Sequence, residues 1–137
     1  MKKIGILNHD LSEVVASMGH TDMLTVCDAG LPIPLAVRRI DLALKKGLPS
    51  FADTLEQVAL ELQVERVIVA EEMRQTSPQV EGIIKMIFPK AEVEVLSHEH
   101  FKQLTHQSKA IVRTGEFTPY ANVILVSGTW GFESGNK

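Results

Sequence analysis

The sequence lacks most of the features that would tie a chain of this size to a disulfide framework, a membrane or a polyanion. It has one cysteine, Cys27, so no internal disulfide can form, and the place of that residue in the apolar run MLTVC predicts a small buried hydrophobe. No stretch approaches the ~18 uninterrupted apolar residues of a spanning helix. The apolar segment behind Lys2 and Lys3 is too short for a signal-peptide core and has no small-residue cleavage site, which predicts a cytoplasmic protein. With 14 basic and 17 acidic residues the net charge is −3, so there is no electrostatic footprint for nucleic acid or an anionic membrane. Glycine-rich phosphate loops, dinucleotide fingerprints, repeats, heptads and linkers are also absent.

What is present is the composition of an ordinary globular protein. The chain has 137 residues, 45% hydrophobic and 23% charged, enough for one compact domain spanning residues 1–137. In DLSEVVASMG, Leu11, Val14, Val15 and Met18 recur at helical spacing, with Asp10 and Glu13 imitating a capping box and Gly19 as the stop. MLTVC reads as a buried strand that runs into DAGLPIP, whose glycine and prolines end regular structure. Ser50 and Asp53 open a second helix ahead of the strand RVIVA, and Pro78 starts a third ahead of AEVEVL. Ser97 suits the N-cap of HEHFKQLT, and the strand-like runs AIVRT and ANVILVSG, expected side by side, close the pattern. This alternation predicts an α/β fold: a single three-layer α/β/α domain with a mainly parallel sheet. The tail 133–137 is predicted to be poorly ordered.

Polar residues at the ends of these elements are the candidate site, because α/β folds usually build their sites there. His20 follows the first helix, whose C-terminal partial negative charge suits an imidazolium; it could donate a proton or merely cap the helix. Asp22 could orient that ring or form a turn. His98 falls in the first turn of the helix after Ser97, the opposite electrostatic setting, which suits an acceptor. Asp28 leaves a strand where a carboxylate could take two neighbouring hydroxyls, or could simply form the turn. Tyr120 and Asn122, at alternating positions of an expected strand, would face one side and could bind polyol oxygens. Glu71, Glu72, Arg38 and Arg39 read as solvated charges or subunit contacts. His98, His100 and His106 lack the i, i+4 spacing of helical zinc sites and have no cysteine nearby, so no metal is expected.

Taken in order, LNHD, GHTD, VCDAGLPIP, RIDLAL, GLPSF, AEE, SHEHFK and IVRTGEFTPYAN resemble the D-ribose pyranase family over nearly the whole chain. The resemblance implies a cofactor-free isomerase that converts β-ribopyranose to β-ribofuranose. It implies His20 as proton donor, with Asp28, His98, Tyr120, Asn122 and the backbone of Ala121 holding the sugar. It further implies a ring-like homodecamer with the site near a subunit boundary, and a functional link to ribose transport and ribokinase. Fucose mutarotases share similar histidine and aspartate positions, so a mutarotase of another free sugar, such as fucose, is one alternative. A ribose-binding or sensing subunit without catalysis is another.

The missing ligand spacing leads to a first prediction. Dialysis against a strong chelator leaves ring exchange of the free sugar, followed by NMR, unchanged; loss of exchange restored by one specific divalent ion would refute it.

Overall fold

The structure, a computed structural model, describes residues 1–130; the tail expectation for 133–137 lies outside the described residues. The chain runs α1 (His9–Ser17), β1 (Met23–Cys27), β2 (Arg38–Asp41), α2 (Phe51–Glu61), β3 (Val64–Ala70), α3 (Glu71–Thr76), α4 (Pro78–Ile87), β4 (Glu92–Leu96), α5 (His98–Leu104), β5 (Ala110–Arg113) and β6 (Val123–Ser127). The six strands form one sheet in the order β2-β5-β1-β6-β3-β4. The pairs β1–β5, β2–β5 and β3–β4 are parallel, and β6 lies antiparallel between β1 and β3. The sheet is thus mainly parallel, as the alternation of helix and strand predicts. The two last strands are not neighbours: β1 separates β5 from β6, because a connection through the Gly115–Tyr120 loop can carry the chain over one strand before it returns.

Side-chain alternation along the inner strands builds two cores. Leu24 and Val26 of β1, Val67 and Val69 of β3, Val112 of β5 and Val123 and Leu125 of β6 face one side, where they meet α1, α2 and α4 through Leu11, Val14, Phe51, Leu55, Val58, Val80 and Ile84. Cys27, Ile68, Ile111, Ile124 and Val126 face the other, covered by Phe101 of α5 and by Leu31. Strands buried on both faces need apolar residues at every position, which is why MLTVC and VILVS read as continuous runs. The edge strands carry Arg38, Arg39 and Asp41 on β2 and Glu92 and Glu94 on β4, and such charges guard an edge against pairing with a further chain.

Caps set the helix starts, with one departure from expectation. Ser50 accepts from the Asp53 N–H and Ser97 from the His100 N–H, as the sequence predicts. α1, however, is capped by Asn8, whose side chain accepts from Leu11 N; Asp10 lies inside the first turn and pairs with Arg38, as does Glu13. Either residue type can cap, and the helix begins at His9, which leaves Asn8 in the capping position. The helix also stops at Ser17, with Met18 extended, before Gly19 is reached. RRID and EEMRQT, unassigned from the sequence, are β2 and α3; both are too short for periodicity to reveal.

Two glycines have opposite meanings. A Cβ on Gly115 would meet the backbone of the neighbouring loop at 2.5 Å from Lys45 O and 2.7 Å from Leu48 N, whereas one on Gly82, within α4, meets nothing within 4 Å. Gly115→Ala is therefore expected to destabilise by about 1–3 kcal/mol through overpacking. Gly82→Ala should stabilise by about 0.5–1 kcal/mol because the unfolded chain loses freedom. Chemical denaturation of both variants checks the pair of signs.

Candidate functional site

Five of the six residues singled out from the sequence gather where β1 ends and β6 begins. Asp28 is the first residue after β1, and its Oδ1 accepts from Gly30 N (3.0 Å) and Leu31 N (2.9 Å). That turn fixes the carboxylate at the carboxyl end of the strand. The Asp28 N–H in turn donates to Asn122 Oδ1 at 2.9 Å, and the Asn122 N–H donates to Tyr120 O at 2.8 Å. The loop is held from outside by Ser77 Oγ, which donates to Pro119 O at 2.7 Å, and by the Ala29 N–H donating to Glu116 O at 2.8 Å.

Tyr120 and Asn122 do not alternate along a strand. β6 starts at Val123, and Tyr120 has φ +60°, so the loop turns through a left-handed residue just before the strand. Such a conformation is uncommon for a bulky side chain and marks a position the surroundings over-determine. Ala121 is fully buried, and its N–H is committed to Thr118 O at 3.3 Å. Any backbone contribution it makes to a ligand therefore falls to the carbonyl.

His98 enters from α5, where the sequence places it, in the first turn after Ser97. Its N–H donates to Glu72 Oε1 at 3.0 Å, so Glu72, read from the sequence as solvated, fastens α5 to the start of α3. The ring meets Tyr120 edge-on, with centroids 5.1 Å apart at 82°. His98 Nδ1 is the one buried side-chain polar atom with no hydrogen-bond partner among the described residues. Buried polar atoms are nearly always paired, which makes this nitrogen an exception in the structure. Asp28, His98, Tyr120 and Asn122, with Leu31 and Pro32, line a cleft of about 290 Å³.

Burial dominates the electrostatics of Asp28 and raises its carboxyl above the usual range; the Gly30 and Leu31 amides, Asn122 and His98 pull the other way. Cys27, immediately before it, is fully buried, and its thiol is pushed up to about 12 by that burial. It is core, as its run predicts.

His20 is not in this cleft. It sits in the turn before β1, at the opposite end of that strand from Asp28. The five residues of β1 put roughly 17 Å of extended chain, at ~3.3 Å per residue, between the two ends. Its Nε2 lies 2.9 Å from Glu65 Oε1, and both residues line a second cleft of about 650 Å³ with Leu62, Phe88 and Gly128. α1 ends at Ser17, and a carboxylate, that of Glu65, stands beside this ring. Asp22 forms the turn: its Oδ2 accepts from Gly19 N at 2.8 Å, a bond that lowers its carboxyl. Glu65 was not singled out from the sequence, where its one signal is a charge at the head of the apolar run VERVIVA. His100 and His106 are exposed, and among the described residues no group of three His, Cys, Asp or Glu is placed to hold a metal ion.

Comparison with known proteins gives a consistent picture. Residues 1–130 match the RbsD / FucU transport protein family. A D-ribose pyranase from Haemophilus influenzae is 54% identical, covering 93% of this chain and 98% of the relative. One from Bacillus subtilis is 51% identical with the same coverage. The structure of Bacillus subtilis RbsD complexed with D-ribose has a TM-score of 0.91 and 50% identity, covering 94% of this chain and 98% of that one. A fucose mutarotase from Streptococcus pneumoniae, solved with L-fucose, has a TM-score of 0.76 at 22% identity, covering 90% and 94%, and shares the fold.

The burial of Asp28 has a consequence for stability. A carboxyl raised in the folded state favours folding fully below its ordinary value of 3.8, and that contribution is lost as pH rises through the raised value. Asp28→Asn keeps an oxygen for the Gly30 and Leu31 amides and carries no charge, so without ligand it should match or exceed the wild type in melting temperature at pH 7. The advantage should shrink as acidification protonates Asp28. Thermal unfolding of both proteins across that range is the check, and a destabilised variant at pH 7 contradicts it.

Proposed function

The chain belongs to the RbsD / FucU transport protein family, and on that premise we propose that it is a D-ribose pyranase working by acid–base ring opening and closing. It is an intramolecular isomerase that interconverts β-D-ribopyranose and β-D-ribofuranose. Relatives carrying that activity in their names share half their residues with it over nearly the full length. Within the molecule, the observation that carries the reading is the cleft: a half-buried carboxylate, an unpartnered imidazole nitrogen, a tyrosine ring and an amide around about 290 Å³. These are the groups that bind a small polyol, with acceptors for hydroxyls and a ring for its apolar face.

The chemistry requires a proton delivered to the pyranose ring oxygen as one leaves the anomeric hydroxyl. The C1–O5 bond breaks, the open aldehyde rotates, and the C4 hydroxyl adds to C1 while its proton is removed and one is returned to the former carbonyl oxygen. Nothing is oxidised or reduced, and the atoms of the sugar are conserved. A positioned imidazole supplies such transfers. His20 is the proton donor in this reading, and Asp28, His98, Tyr120, Asn122 and the Ala121 backbone hold the sugar.

A strand's length separates His20 from that set, so His20 reaches the sugar of a neighbouring copy. The assembly is a closed ring, a homodecamer, in which each site is built at a subunit boundary; closed symmetric assemblies of this kind are common. No helix among the described residues is long and apolar enough to cross a membrane. The setting proposed is the cytoplasm, between ribose import and a kinase that consumes the furanose.

His20→Ala should bind ribose with near wild-type affinity and exchange its rings roughly a hundredfold to ten-thousandfold more slowly. Asp28→Asn should do the reverse in kind, weakening ribose binding by about 1–3 kcal/mol. If the site spans two copies, unfolding and reassembling the two variants together at equal amounts gives about a quarter of the sites both wild-type groups by random pairing. Saturation-transfer NMR of the ribose anomers reads exchange and calorimetry reads binding. Wild-type exchange by folded His20→Ala would remove it as donor, and no recovery on mixing would place the site within one chain.

A further inference from the structure

The contact between His20 and Glu65 is produced by three separate features of the backbone. The β3–β6 register shifts between Val64 and Arg66, with Val64 opposite Ser127 and Arg66 opposite Val126. Glu65 is therefore the extra residue of a bulge, a device that re-aims a side chain out of the regular pleat. Across from it, Gly128 leaves room: a Cβ there would come within 3.0 Å of Glu65 Cβ and 3.3 Å of Glu65 Oε1. On the histidine side, Thr21 adopts φ +71° and its N–H donates to Ser127 O at 2.9 Å, which pins the turn carrying His20 to the same strand end.

Stability does not account for this arrangement. The two side chains are 41% and 33% exposed, and a polar contact that open to water contributes little to folding. A bulge, a glycine and a left-handed threonine converging on such a pair make sense as a means of holding the ring. Resting on the assignment of His20 as proton donor, we infer that Glu65 is a positioning residue for the reaction. Its carboxylate accepts a hydrogen bond from Nε2–H and turns the ring so that Nδ1 of the imidazolium gives its proton to the sugar's ring oxygen, which leaves the neutral ring in the Nε2–H tautomer. A carboxylate behind an imidazole is a known way to fix both tautomer and orientation.

The test compares Glu65→Ala, Glu65→Gln, Gly128→Ala, His20→Ala and the double variant His20→Ala with Glu65→Ala. Ring exchange of D-ribose is read by NMR, affinity by calorimetry, and the His20 tautomer by ring nitrogen shifts. Glu65→Ala should lower turnover about tenfold to a hundredfold, the scale of a misplaced catalytic group, with ribose affinity unchanged and a mixed tautomer in place of one. Glu65→Gln, which keeps an acceptor oxygen, should recover most of the rate. Gly128→Ala, which crowds Glu65 without replacing it, should slow turnover in the same direction. In the His20→Ala background, loss of Glu65 should cost nothing further. A folded Glu65→Ala with wild-type turnover and a single tautomer overturns the inference, as does an equal further loss in the double variant. Should His20→Ala itself exchange rings at the wild-type rate, the donor assignment fails instead, so the two failures are told apart.

Discussion

The architecture of the cleft depends on one hydrogen bond, from the Asp28 N–H to Asn122 Oδ1, which joins residues 94 positions apart. β1 and β6 are paired central strands, and at the point where β1 runs out the next backbone donor would have no ladder partner. Asn122, the last residue before β6, supplies one from its side chain. Because that bond fixes where the chain enters β6, it also fixes the tight turn ahead of it, with Tyr120 in a left-handed conformation facing the His98 ring. An asparagine is suited to this: its oxygen accepts, and its short side chain reaches a neighbouring strand without disturbing the core below.

Around this bond the molecule departs from the rules it obeys elsewhere. Helices are capped by Asn8, Ser50 and Ser97, the edge strands carry charge, and the inner strands are apolar on both faces. At the cleft, by contrast, a carboxylate is held above its usual range by burial, an imidazole nitrogen is buried without a partner, and a tyrosine lies at positive φ. Each feature works against stability, and their concentration in one place is what a binding site asks of a fold whose remaining parts are locally consistent.

The direction of the strands decides how the functional groups are distributed. In a sheet whose strands run mainly one way, loops at the carboxyl ends converge, and Asp28 after β1 and His98 after β4 meet there. β6, the one strand of opposite direction, begins at that same end, so Tyr120 and Asn122 join them. The same logic sends the residues that precede β1 and those that begin β3 to the other end, which is where His20 and Glu65 meet. One chain thus displays the Asp28, His98, Tyr120 and Asn122 cleft and the His20–Glu65 pair at opposite ends of its sheet.

The layout of the fold was legible from residues 1–130 because helices and buried strands announce themselves through apolar spacing. The stripes of Leu55 and Val58, or of Val80 and Ile84, and the runs MLTVC and VILVS depend on nearest neighbours and water alone. The identities of Asp28, His98, Tyr120 and Asn122 as site candidates were legible for a related reason: polar groups at element ends need a partner. What the sequence could not determine was which ends coincide. That β1 lies between β5 and β6, that Asn122 bonds Asp28 and not its own strand, that Glu72 holds α5, and that a bulge turns Glu65 toward His20 all follow from strand order and register. Those are set by the packing of two whole faces at once, an energy summed over contacts between residues far apart in the chain, and local patterns carry no record of it.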